Sequence, residues 1–346
     1  MRRIVIVIIC VMLLVGSVEA TEFTPPQAPN DVEYLMPDET TSFGEGLWYI
    51  LSKSLEKFQP SFMNAIRICI SIIFVSLLVG LFSELTSNVR SAIGLVGTIT
   101  IGILLFQPVN TFIQLGTETV KQISQYGNLL LPVMSGALAA QGAITKSGAV
   151  YAATVLFDTF LSTAVAQLLI PLVYVYLCLS VICNVFSQSL LMKMTQFIKW
   201  AMTWGLKIVL YIFTGYISIT GVVGGTTDAA MLKATKLTIS GMVPVVGNII
   251  SDASEAVLVS AGLMKNAVGI YGLLAIVSIW IGPFLQIGIQ YILLNLTSGI
   301  CEMFAVKQIS VLIKDVSGAM GLVLAMTGSV CLMFLISTIC FMKGVA

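Results

Sequence analysis

Only 10% of the 346 side chains are charged and 58% are hydrophobic, with a mean hydropathy of +1.01; a water-soluble globular domain, which carries roughly 25% charge, is excluded. The formal net charge of +1 gives no basic patch for nucleic acid. There is no histidine, which removes the usual general base, the Ser-His-Asp and Cys-His nucleophile systems and the commonest zinc and haem ligand. The chain reads as a non-enzymatic, all-α, polytopic membrane protein without a cofactor.

Residues 1–20 read as a secretory signal. Arg2 and Arg3 precede an apolar core from Ile4 to Val15, and Val18-Glu19-Ala20 forms a small-residue processing site, so cleavage after Ala20 is expected. An uncleaved anchor is the alternative, but the apolar core is short for a crossing. Residues 21–62 form the next unit. From Thr21 to about Gly46 the chain is polar, holds Pro25, Pro26, Pro29 and Pro37, and carries Glu22, Asp31, Glu33, Asp38, Glu39 and Glu45 without a lysine or arginine. This composition predicts an extended, solvated, exported arm. Leu47, Ile50, Leu51, Leu55 and Phe58 then recur at helical spacing beside Lys53, Glu56 and Lys57. They predict a short amphipathic helix on the outer membrane surface or against the spans.

Residues 63–346 form the membrane domain. Spans are expected at about Met63 to Phe82, Ile93 to Val109, Gly148 to Gln167, Ile170 to Phe186, Ile208 to Val223, Val268 to Leu296 and Gly321 to Met342. Leu129 to Ala143 is apolar but broken by Pro132, Gly136 and Gly142, and reads as a full span or a re-entrant segment. Pro283 is placed to split or kink the long stretch from Val268. The glycines of Gly94-Leu95-Val96-Gly97 read as helix packing or helix termini, since no Gly-rich loop with a following Lys-Ser/Thr accompanies them.

Asp158 lies within one of these spans, in AATVLFDTFLSTAV, with no cation within one helical turn. A carboxylate at that depth costs about 3 kcal/mol on insertion scales and must face a wet or protein-lined interior. Thr154, Thr159 and Ser162 are its local hydroxyl partners, and an ion path and a hydrogen-bonded helix contact are both compatible with the pattern. An aspartyl protease would need a second carboxylate, and Asp228, without a GxGD motif, is a poor one; it reads instead as a helix N-cap.

From Phe186 to Lys207 the charged residues are Lys193, Lys199 and Lys207, with Trp200 and Trp204 beside them. That segment should face the cytoplasm, as a membrane-surface connector or, alternatively, a partner-binding helix. With the arm outside and Leu129 to Ala143 crossing fully, Thr226 to Lys265 then lies on the extracytoplasmic side. Within this polar interruption, Asn248, Ser251, Asp252 and Glu255 share one helical face, opposite Ile250, Ala253, Val257, Ala261 and Met264. The four polar residues are the candidate lumen or partner face; Asp252 and Glu255 also spell a capping box.

Of seven cysteines, Cys10 leaves with the signal. The rest lie in or beside apolar spans without CxxC spacing and read as small buried hydrophobes, with neither a disulfide framework nor a metal site.

The stretch from about Gly224 to Gly272, read from Thr227 as TDAAMLKATKLTISGMVPVVGNIISDASEAVLVSAGLMKNAVGIYG, resembles the signature region of the stage III sporulation protein AE family of endospore-forming bacteria. The order of signal, spans and amphipathic stretches fits that family over most of the mature chain. The resemblance implies a multi-pass protein of the mother-cell membrane around the forespore, part of the sporulation channel complex between the two cells and required for late forespore development. It implies other stage III sporulation membrane proteins and a forespore-side protein as partners, with self-association open and no catalytic residues. Pore, export-gate element and scaffold are all compatible with it. Two rival classes stand beside this reading. Leu129 to Val150 and Met242 to Val268 both begin near a Pro-Val pair and end with a lysine before a span, as the paired broken segments of a small-solute secondary transporter would. A non-transporting membrane scaffold is the other.

Overall fold

The computed structural model describes residues 25–37, 42–85, 90–186, 189–242, 247–304 and 307–343, without the side chains of 90, 91, 189, 220–242, 247–264 and 304. Every regular element in these residues is helical. A short α1 (Asn30–Glu33) precedes α2 (Phe43–Leu85), α3 (Arg90–Ala140), α4 (Ile144–Ala164), a π-helical turn (Val165–Leu169), α5 (Ile170–Phe186), α6 (Ser189–Met242), α7 (Gly247–Phe304) and α8 (Lys307–Met342).

Among the described residues six helices are long and apolar enough to cross a membrane, fewer than the spans expected from hydropathy. The difference lies in what proline does. Pro60, Pro108, Pro132 and Pro283 all sit inside continuous helices. Proline removes one backbone donor, and neighbouring helices can absorb that loss in an apolar bundle. Leu129 to Ala143 is therefore not a separate helix: it is the last part of α3, which ends in a tight turn. Gly142 takes φ 84, and the amides of Gly142 and Ala143 donate to Ala139 O at 2.8 Å and Leu138 O at 3.3 Å. This is a Schellman ending, which requires the left-handed residue glycine supplies. The two spans expected on either side of Ile170 are one apolar stretch, Ile144–Phe186. Pro171 cannot donate backward, and just before it the chain widens so that the Ile170 amide reaches Val165 O, five residues back.

With one crossing for each long apolar stretch, namely α2, α3 and Ile144–Phe186, three crossings separate the arm from Ser189 where five were expected. Both counts are odd, so the expected sidedness of the lysine segment is unchanged.

The centre of the bundle is α7 and α8. In the most apolar window of each, 61% of residues are buried, against 22–33% in the other four helices. Both α7–α8 and α3–α4 hairpins are clamped by a serine pair. Ser298 and Ser310 each donate to the other's carbonyl at 2.9 Å; Ser147 donates to Ser135 O at 2.7 Å. Packing against α8 needs glycine on α3: a Cβ at Gly127 would overlap the Phe334 ring, and one at Gly116 would overlap Val323. At the α2–α3 hairpin, a Cβ at Gly97 would lie 2.6 Å from Val79 Cγ2, in keeping with the packing role expected of that glycine.

Two expectations about the N-terminal region need correction. The helix expected over Leu47 to Phe58 is the first part of α2 and continuous with the span that follows. The described part of the arm is docked on the bundle through its apolar residues, while Gln27, Asn30, Asp31 and Glu33 stay exposed. Ala28, Leu35 and Met36 are buried, Tyr126 Oη donates to Pro26 O at 3.2 Å, and the Ala28 amide donates to Tyr271 Oη at 3.4 Å. Gln122 Nε2 donates to Asp31 Oδ2 at 3.1 Å, and the Lys57 ammonium sits 3.4 Å from the Tyr34 ring centre. Prolines keep residues 25–29 out of regular structure, and the arm's few apolar side chains find a groove on α3 and α7 that composition alone does not reveal. The signal segment 1–20 lies outside the described residues.

Candidate functional site

Asp158 is 2% exposed and faces the seam between α4 and α3. Ser124 Oγ of α3 donates to its Oδ1 at 2.8 Å, Ser162 Oγ of α4 does so at 3.1 Å, and the two hydroxyls lie 2.7 Å apart. The Asn128 side chain, one turn along α3 from Ser124, lies beside the carboxyl. Every one of these neighbours is neutral, so the site satisfies the carboxyl by hydrogen bonds rather than by ion pairing. Ser162 was expected as a partner and is one. Thr154 instead donates to Val150 O and meets Ser337 of α8 at 2.6 Å, while Thr159 points outward and bonds Val155 O. Ser124, 34 residues away in sequence, could not be found from local spacing.

A second polar node was missed altogether. Asp315 of α8 accepts from Ser180 Oγ at 2.6 Å and Asn184 Nδ2 at 3.4 Å, and its backbone carbonyl accepts from Tyr176 Oη at 3.0 Å. A methyl group at Gly318, one turn further along α8, would lie 2.6 Å from Lys199 Nζ. α5, α6 and α8 thus meet around this aspartate. The available signal was a carboxylate inside an apolar helical pattern, Val311 to Val323, but it lies just before the stretch from Gly321 that hydropathy selects.

Between the two nodes, Leu161, Val165, Leu169 and Val173 line the inner face of the α4–α5 stretch and all are buried. At the end of the bundle where α3 meets α4, the buried Lys146 donates to Lys343 O at 2.7 Å, near the C-terminus of α8, and the buried Lys265 donates to Gln141 Oε1 at 2.6 Å. Helix C-termini favour cations, which accounts for the first of these.

The side chains of Asn248, Ser251, Asp252 and Glu255 lie outside the described residues, as does that of Asp228. Their backbone is described, and it removes the capping readings: α7 starts at Gly247 and α6 runs from Ser189 to Met242, so Asp252 and Asp228 are both interior to helices. All four positions lie within α7. Part of the faint repeat, Met242 to Val268, also falls outside the described residues. Cys69, Cys183, Cys301 and Cys331 are buried, as expected; Cys178 is exposed on α5.

The model of the family described as stage III sporulation protein AE matches residues 37–344, from the end of the arm through all six long helices. A curated relative, stage III sporulation protein AE of Bacillus subtilis (strain 168), is 24% identical over 239 residues, covering 68% of this chain and 60% of the relative. The aligned region thus spans less than two thirds of that relative's length. No solved structure matches the chain.

Proposed function

The chain belongs to the stage III sporulation protein AE family, and from that premise we propose that it is a membrane component of the sporulation channel complex joining mother cell and forespore. It sits in the mother-cell membrane around the forespore, is needed for late forespore development, and works with other stage III membrane proteins and a forespore-side partner. Its first 20 residues are an export signal that is removed. The observation that carries this reading is the family match running through the whole helical bundle. The transporter alternative rests on the paired segments Leu129 to Val150 and Met242 to Val268; in the first, the helix runs unbroken past Pro132 and turns only after Ala140, and the second lies partly outside the described residues.

In this reading Asn248, Ser251, Asp252 and Glu255 form a lumen or subunit surface. Charge reversal on an exposed helix face costs folding little, usually within about 0.5 kcal/mol, whereas like charges forced together at a contact cost several kcal/mol. The Asp252→Lys, Glu255→Lys double variant is therefore expected at normal abundance in the membrane but without mature spores. Isolation from sporulating cells in mild detergent and measurement of the intact mass read the assembly. The native chain should run well above its own 37.1 kDa with other membrane proteins attached, and the variant should lose them. A native chain recovered alone from such cells would defeat the proposal.

Sidedness follows from the lysine excess at Lys193, Lys199 and Lys207. Expressed in non-sporulating cells, a chain whose native cysteines are replaced should be labelled at position 252 and spared at position 193 by an impermeant thiol reagent on intact protoplasts. The reverse pattern would invert the topology.

A further inference from the structure

The first half of α6 carries a surface that neither the family match nor the bundle accounts for. Lys193, Phe197, Trp200, Trp204, Lys207 and Tyr211 follow one another at helical spacing and form a single outward stripe. The opposite face is spent on the fold, where Thr195, Met202 and Leu206 are buried. The rings form a ladder: Phe197 and Trp200 stack with centroids 5.9 Å apart, and Trp200 and Trp204 lie 6.3 Å apart. All three remain exposed, at 64%, 56% and 46%. Lys207 leans back along the helix, its ammonium 5.9 Å from the centre of the Trp204 ring.

We propose that this stripe is a binding surface for anionic phospholipid headgroups at the membrane face next to the α5–α6 connection. Chemistry grades along it as a bilayer grades from water to hydrocarbon. Lys193 lies nearest the connection, the amphipathic rings follow, and beyond Lys207 the outward residues Ile208, Tyr211, Ile212 and Ile219 are exposed and largely apolar. Tryptophan rings favour the headgroup level. A lysine set just inside that level turns its ammonium back toward it, as Lys207 does. Lys193 and Lys207, about 21 Å apart along the axis, then approach the phosphate layer from its two sides. An acidic protein segment would match the lysines but would leave three large rings in water, so lipid is the better occupant. Lys199 is not part of the surface, since its ammonium rests against α8 at Gly318. The proposal goes beyond the channel reading and does not depend on it.

The test uses the full chain in mild detergent with an equimolar mixture of phosphatidylglycerol and phosphatidylcholine, and counts retained lipids by native mass spectrometry. Each lysine near an anionic surface is worth about fivefold in binding. The native chain should prefer phosphatidylglycerol, and Lys193→Gln with Lys207→Gln should cut that preference by at least about fivefold without changing the melting temperature in detergent alone. Lys53→Gln with Lys121→Gln, on α2 and α3, should leave it intact. Equal retention of both lipids by the native chain would overturn the proposal, as would an equal loss in the control variant. Unchanged lipid preference in the α6 variant together with loss of a co-isolated protein would reassign the surface to a protein partner.

Discussion

Asp158→Leu is expected to lower membrane abundance and melting temperature sharply, while Asp158→Asn should accumulate and assemble like the native chain. The asparagine keeps an acceptor of the same size for Ser124 and Ser162 and adds no charge. Leucine removes that acceptor from a buried site and brings a larger, differently shaped side chain into the α3–α4 seam. An unsatisfied buried donor costs about 1–3 kcal/mol, and overpacking about 1–3 kcal/mol more. The two serines, 2.7 Å apart, can still bond each other, so the loss should fall at the lower end of the combined range. Immunoblotting of membrane fractions and thermal unfolding in detergent read both variants. If the Asn variant assembled normally yet spores failed, the carboxyl would have a titrating role and the anchor interpretation would be wrong. Native behaviour from the Leu variant would remove any role for the contact.

Gly127→Val should be at least as damaging, for a reason that involves no polar group. The added carbon atoms fall on the Phe334 ring, at the contact between α3 and the central helix α8. A rigid aromatic ring cannot yield as a flexible chain end can, so the helices must separate. The expected cost is about 3 kcal/mol or more, at the upper end for overpacked cores. Phe334→Ala alone should also destabilise, by about 3–5 kcal/mol, through the cavity it leaves. Combined, the two should cost clearly less than the sum, because the valine fills part of that cavity; contacting residues couple by about 0.5–3 kcal/mol. Melting temperatures of the two single variants and the double variant, in one detergent, check this. Simple additivity would mean that α3 and α8 do not meet at this contact.

These two sites differ in how far the sequence could reach them. Asp158 was identifiable on energetic grounds alone, because a carboxylate in an apolar stretch has to find an interior whatever the fold. The same logic applied to Asp315 and was missed only because that residue precedes the window that hydropathy selects. Neither Ser124 nor Phe334 could be named from the chain, since each lies far in sequence from the residue it meets.

Composition determined the membrane class, and continuous apolar runs long enough for a helical crossing determined the helical fold, because a span in lipid must satisfy its backbone internally. Lacking histidine, it also argued against the commonest catalytic systems, and the Thr227 to Gly272 stretch pointed to the family that the match over residues 37–344 establishes. Tertiary structure decided where the helices end. Proline and glycine mark a break only if nothing nearby compensates for the lost donor or the missing side chain. Helix α3 continues past Pro132 and stops at Gly142, which takes the left-handed conformation that ends it. Tertiary structure also decided the fate of the acidic arm. Local composition describes how such a segment behaves alone in water, and only the folded bundle supplies Tyr126, Gln122 and Tyr271 to hold it in place.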